Sequence, residues 1–250
     1  MSIPVPIPLL ADISTKIGAH VSWGPDPKQG ALIGNVLHVD TMVSTLFVAV
    51  VLIGLALYVR SKLTPGVPGG AQNFVEFVLD FVVDTAKGQI GEERARIISP
   101  LAFTLALFVF LSNMIGLLPT GGLFKSPTAD MNTTIALALI VMTYVEVSSL
   151  RARRLGGFLK HFVSPPLLTP ILIIEELSKP VTLSLRLFGN IAAGEIMLIL
   201  IGSLPLVLLT APLFNVVWVA FSIFVGAVQA FVFVMLTIAY YGISTDTEGH

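Results

Sequence analysis

The chain has 250 residues, of which 55% are hydrophobic and only 12% charged, a balance that excludes a soluble domain of ordinary composition. Its formal net charge of -1 gives no global field that would favour nucleic acid. Cysteine is absent and the four histidines (His20, His38, His161 and His250) are scattered, so disulfides, thiolate chemistry and a Cys/His metal cluster are not expected.

The opening segment, residues 1–38, is apolar in places but lacks a basic leader and is broken by Pro4, Pro6 and Pro8; it does not read as a cleaved signal peptide. The first membrane span is expected over Val39 to Val59, about 20 residues, enough for a hydrocarbon core of ~30 Å. Arg60 and Lys62 follow at once. By the positive-inside rule that end is cytoplasmic and the N-terminus lies outside. After the helix-breaking TPGVPGG, residues 72–87 carry Glu76, Asp80 and Asp84 at four-residue spacing, the single polar stripe of an amphipathic helix lying at the interface.

A second span is expected from Ile97 to Leu118, stopped by Pro119 and Gly121, and a third from Thr133 to Leu150. The third is closed by Arg151–Arg154 (RARR), with Lys160 nearby, which places its end on the cytoplasmic side. The next apolar run, Leu167 to Leu204, is too long. As one helix its roughly 38 residues would extend ~57 Å, so it must be strongly inclined or broken, with Pro170 and Pro180 as candidate kinks. Leu213 to Tyr241 poses a milder version of the same problem. Pro205 and Pro212 mark the turn between the two, and the tail, 243–250, returns to the cytoplasm. The expected architecture is an all-α integral membrane protein: three upright transmembrane helices within 39–165, an interfacial helix, and a hairpin of two long inclined helices over 166–242.

Helical geometry sorts the polar residues of that hairpin. Glu175, Lys179, Thr182, Arg186 and Asn190 fall within about 40° of Arg186 around the axis, whereas Glu195 points to the opposite side, roughly 13 Å further along. On the last helix Asn215, Ser222 and Gln229 recur every seven residues. Gly189 with Ala193, and Gly226 with Ala230, are small-xxx-small pairs that let backbones approach closely. An arginine within a span costs at least ~2.5 to 3.5 kcal/mol on insertion scales and is retained where it meets a polar cavity or a counter-ion. Two readings follow. Arg186 either pairs within the chain, with Glu175 or Glu195, or serves a carboxylate from another subunit, beside which its permanent charge is a fixed gate.

The run IIEELSKPVTLSLRLFGNIAAGE, followed by VQAFVFVMLTIAYY, resembles the a subunit of the membrane sector of F-type ATP synthases. The likeness rests on the arginine of LRLFGN, the acid nine residues later and the glutamine of QAF, with LHVDTM, SNMIGLLP and DMNTT agreeing at the first three spans. It implies a stator subunit of a bacterial plasma (inner) membrane, partnered by a ring of c subunits, b-type peripheral stalk subunits, the other synthase subunits and lipid. Arg186 falls on the arginine that gates the ring carboxylate between two offset proton half-channels. Asn190, Glu195 and Gln229 match polar positions around the outer half-channel; Asn132 and Asp40 match positions nearer the outer side, and Glu175, Glu176, Ser178 and Lys179 lie on the cytoplasmic approach. Ser222 stands where relatives place a histidine or an acid. It cannot titrate near neutral pH, so a relay there needs water.

Blander readings stand beside these. Asn190 and Gln229 could be plain interhelical hydrogen bonds, worth ~0.6 kcal/mol on average in membranes. Asp40 and Asn132 could be interfacial or capping residues; Asp130 reads as a helix-start acid, and the Glu76–Asp80–Asp84 stripe as a solvated face. The chain has no phosphate loop, HExxH or GxSxG, so no nucleotide binding, cofactor or enzymatic activity of its own is expected. A secondary transporter is the main alternative, but the LRLFGN run has no second copy. A purely structural anchor would not need polar stripes on both final helices.

Overall fold

The computed structural model describes residues 22–23, 37–63, 69–117, 126–163, 169–202 and 207–246. Two short strands, β1 (Ser22–Trp23) and β2 (Leu37–His38), pair antiparallel. The other regular elements among these residues are helical: α1 (Val39–Ser61), α2 (Gly70–Ile90), α3 (Glu92–Gly116), a 3-10 turn at Pro127–Ala129, α4 (Met131–Val163), α5 (Thr169–Gly202) and α6 (Val207–Thr245). Four stretches of helix are long and apolar enough to cross a membrane: Thr41–Ser61, Glu92–Gly116, Met131–Ala152 and Val216–Thr245. The chain is an all-α, multi-pass membrane protein.

Helices prevail because lipid offers the backbone no other hydrogen-bond partner. Several hydroxyls inside the spans obey the same constraint by donating to carbonyls of the preceding turn, as Thr45 does to Thr41, Ser99 to Ala95, Ser148 to Tyr144 and Thr237 to Phe233. The junction of α2 with α3 is a single residue. Gly91 adopts φ 80°, a region open to glycine; its N–H bonds to Lys87 O at 3.1 Å while its own carbonyl accepts from Ala95 at 3.0 Å. Glu92 and Glu93 occupy the first turn of α3, where carboxylates complement the helix dipole.

The helices run further than their sequence signals suggest. The expected interfacial helix over 72–87 spans Gly70–Ile90, and α4 continues through the RARR cluster to Val163. Basic residues set where a helix leaves the bilayer, but Arg is a good helix former and gives it no reason to end. Neither Pro170 nor Pro180 breaks α5. The hydroxyls of Ser178, Thr182 and Ser184 on either side of Pro180 donate to backbone carbonyls of the same helix. Pro212 lies inside α6 and does not mark the turn before it. With 34 residues α5 is ~51 Å long, well beyond the thickness of a hydrocarbon core.

The core forms where α3, α4 and α5 each pack against α6, with α2 against α3 and α6. Its centre holds Ile98, Val109, Val141, Val145, Leu183, Leu187, Phe233 and Ile238, with alanines such as Ala86, Ala102, Ala138 and Ala230 where backbones come close. The C-terminal end of α6 is held on several sides. Arg94 Nη1 donates to Gly242 O at 3.4 Å, Ser149 Oγ to Ser244 O at 2.8 Å, and Ile90 presses on Gly242 so closely that no Cβ would fit there.

Candidate functional site

Helix α5 has a buried and an open side. Leu183, Ser184 and Leu187 are buried against the core, while Thr182, Arg186, Gly189, Asn190 and Ala193 are exposed. Arg186 has no ion pair or hydrogen bond among the described residues. Its intrachain pairing with Glu175 does not form: Glu175 Oε1 lies 4.0 Å from Lys179 Nζ instead. A Cβ built on Gly189 would meet nothing within 4 Å, so among the described residues nothing packs against this glycine beside Arg186.

Around the helix from Arg186, Asn190 turns toward α6. Its Nδ2 donates to Oε1 of Gln229, a residue only 3% exposed, and both line a cavity of about 410 Å³. Ser222 lines it too, one step of the seven-residue stripe from Gln229. The volume far exceeds the ~10–15 Å³ that one water needs, and the amides and hydroxyls on its wall give water the polar partners it requires. Trp218 on α6 closes part of the wall, its Nε1 donating to Gly194 O at 3.4 Å.

Two more polar residues of the wall, Asn113 and Ser126, are joined through Thr128. Asn113, near the end of α3, donates from Nδ2 to Gly226 O at 3.2 Å and accepts at Oδ1 from Thr128 Oγ1 at 2.8 Å. Ser126 Oγ lies 2.7 Å from that threonine's hydroxyl and bonds Ser112 O at 2.9 Å. These contacts strap the 3-10 turn across α3 and α6. Nothing larger than glycine fits beneath the strap without a shift: a Cβ on Gly116 would fall 2.7 Å from Ser126 Cβ, and one on Gly226 3.0 Å from Met114 Cε. An asparagine inside an apolar span is a signal for Asn113; the hydroxyls carry none, because their partners are distant in sequence.

The chain matches the family model described as ATP synthase A chain over residues 42–242. It belongs to that family. It is 36% identical to "ATP synthase subunit a" of Acidothermus cellulolyticus over 246 residues, covering 97% of this chain and 88% of the relative. The Mycobacterium bovis protein of the same name is 39% identical, covering 86% and 90%, and the Gloeobacter violaceus one 36% identical, covering 94% and 92%. Coverage at this level places the α5–α6 hairpin and its cavity within the part shared with ATP synthase a subunits.

A second polar group on this a-subunit hairpin lies on the far side of Arg186 from the cavity. Lys179 Nζ bonds Glu176 Oε2 at 2.7 Å and sits 5.9 Å from the centre of the Tyr240 ring, a cation–π distance. Glu176 Oε1 is buried without a protein hydrogen-bond partner among the described residues, whereas Ser178 donates its hydroxyl to Ile174 O. Asn132 is exposed and does not line the cavity. Its backbone N–H donates to Asp130 Oδ1 at 2.9 Å, so Asp130 opens α4 as a helix-start acid. Asp40 lies in the first turn of α1, Glu195 in α5 and Asn215 in α6. Their side chains are outside the described residues.

Proposed function

We propose that this chain is the stator subunit of the proton-translocating membrane sector of an F-type ATP synthase, with Arg186 facing the carboxylates of a rotating c ring. One observation carries the reading: an arginine without a partner among the described residues stands on an open, glycine-lined helix face, one turn from an amide that reaches into a polar cavity. Small residues there allow a ring helix to approach as closely as Gly226 allows Asn113 within the chain.

In this reading α5 and α6 lie strongly inclined, curved against the ring, since a 34-residue and a 39-residue helix cannot both stand upright in a ~30 Å core. The cavity at Asn190, Ser222 and Gln229 is part of the outer half-channel. Water carries the proton past Ser222, which cannot titrate, and Glu195 is the acid along that path. Glu175, Glu176 and Lys179 flank the cytoplasmic half-channel, with Ser178 a weaker member; Asp40 and Asn132 mark the outer approach. A ring carboxylate gains its proton at one half-channel and crosses the lipid neutral. Beside Arg186 ion pairing lowers its pKa, so the proton leaves through the other. Because the guanidinium never deprotonates, it also blocks direct leakage between the two paths.

Nucleotide chemistry takes place elsewhere in the complex, to which b-type stalk subunits anchor the stator. The setting is a bacterial inner membrane, N-terminus outside and C-terminus cytoplasmic. The decisive test is Arg186→Ala in synthase reconstituted into vesicles: coupled ATP synthesis falls to background while the subunit still assembles. Normal coupled synthesis by that variant would refute the role. A cysteine at position 190 should crosslink to the ring helix that bears the carboxylate.

A further inference from the structure

Away from the hairpin's exposed face, α3 packs chiefly on α6 and α4 on α5 and α6, and the two hardly touch each other. Between them runs an open groove of about 890 Å³. Its only charged lining residues among those described are Arg94 and Arg151, and both stand at the same end. The walls below are apolar and unpacked: Leu139, Ile140 and Val147 are exposed along one side of α4. From Leu139 to Arg151 is twelve residues, ~18 Å along the helix, close to the depth of one leaflet in a bilayer whose hydrocarbon core is ~30 Å thick.

The arginines are available. Arg151 is exposed and makes no ion pair among the described residues. Arg94 Nε is held by Ile90 O at 2.9 Å and Nη1 by Gly242 O at 3.4 Å, which fix the guanidinium's position, and its ion pair with Asp246 is a solvent-exposed one at 3.6 Å, readily exchanged for another anion. Tyr144 Oη donates to Ile97 O at 3.2 Å and ties the two walls together across the groove. A transmembrane helix about 10 Å wide cannot sink past that tie, whereas a hydrocarbon chain can run beside it.

We propose that this groove seats one anionic phospholipid, its phosphate between Arg94 and Arg151 and an acyl chain along Val147, Ile140 and Leu139. Paired guanidinium groups at headgroup depth above an apolar slot are the chemistry that selects such a lipid from the neutral ones around it. The inference is independent of the role given to Arg186.

The test uses the whole synthase purified in detergent, stripped of lipid and offered phosphatidylglycerol or phosphatidylcholine of identical chains, with lipid retained on this subunit read by native mass spectrometry. Phosphatidylglycerol should be retained selectively, and the Arg94→Gln, Arg151→Gln double variant should lose that retention roughly thirtyfold, the effect of two cation contacts at a membrane surface. Arg96→Gln, exposed but outside the groove, should change nothing. Should the double variant fail to assemble, Ile140→Trp fills the slot with both arginines intact and should expel the lipid. Equal retention of the two lipids, retention unchanged in the double variant or in Ile140→Trp, or a photocrosslinker at position 140 that captures a polypeptide, would each overturn the proposal.

Discussion

Two small-residue pairs of identical spacing, Gly189 with Ala193 on α5 and Gly226 with Ala230 on α6, meet opposite surroundings. Around Gly226 the chain is full, with Met114 and Asn113 within 3.0–3.2 Å of where a Cβ would stand; around Gly189 there is nothing within 4 Å. The same sequence device therefore does two jobs. On α6 it lets the chain's own α3 come close and accept the Asn113 strap. On α5 it leaves room beside Arg186 that none of the described residues fills. A small residue inside a span marks a close approach, and only the fold tells whether the partner is internal.

Leucine at each position should separate the two jobs most sharply. Gly226→Leu must displace Asn113 and Met114 and should prevent the subunit from accumulating in the membrane, whereas Gly189→Leu should fold and insert normally yet abolish coupled proton flow. Equal expression of both, or equal loss, would break the distinction. Next in size is the strap. Asn113→Ala removes the hydrogen bonds from Thr128 Oγ1 and to Gly226 O, at about 0.5–1.5 kcal/mol each, and should lower the temperature at which the purified synthase loses this subunit.

Smaller still is Asn190→Ala. One interhelical hydrogen bond of ~0.6 kcal/mol should hardly change thermal stability, but proton flux through the reconstituted membrane sector should fall several-fold. A stability loss with flux unchanged would make the Asn190–Gln229 bond structural and nothing more. Asp80→Asn on the exposed side of α2 should alter neither measurement by more than about 0.5 kcal/mol or its equivalent in rate.

Which features could be read in advance follows from their physics. Hydropathy located α1, α3 and α4, with basic residues flanking the first and last of these, because a span's length is fixed by the solvent it crosses. The excess length of α5 and the grouping of Arg186 and Asn190 on one polar face came from helical arithmetic that needs no tertiary information. Pro212 was misleading, since a membrane helix can run through a proline where its neighbours satisfy the freed backbone group. The strap was invisible: Thr128 reaches Asn113 across 15 residues, and Asn113 reaches Gly226 across 113 residues, distances no local period encodes. Within the cavity the seven-residue stripe did foreshadow that Ser222 and Gln229 share a wall, but not that Asn190 would cross from α5 to join them.

The fixings on α6 have a mechanical consequence. One is the bond from Asn113 to Gly226 O; the other is the grip of Ile90, Arg94 and Ser149 on Gly242 and Ser244. Sixteen residues separate Gly226 from Gly242, ~24 Å of helix. A rod pinned at a single point tips when pushed from the side; one pinned at two points that far apart passes the thrust to its supports. A lateral load on α6 is thus handed to α2, α3 and α4 together, and the hairpin can be pushed without turning.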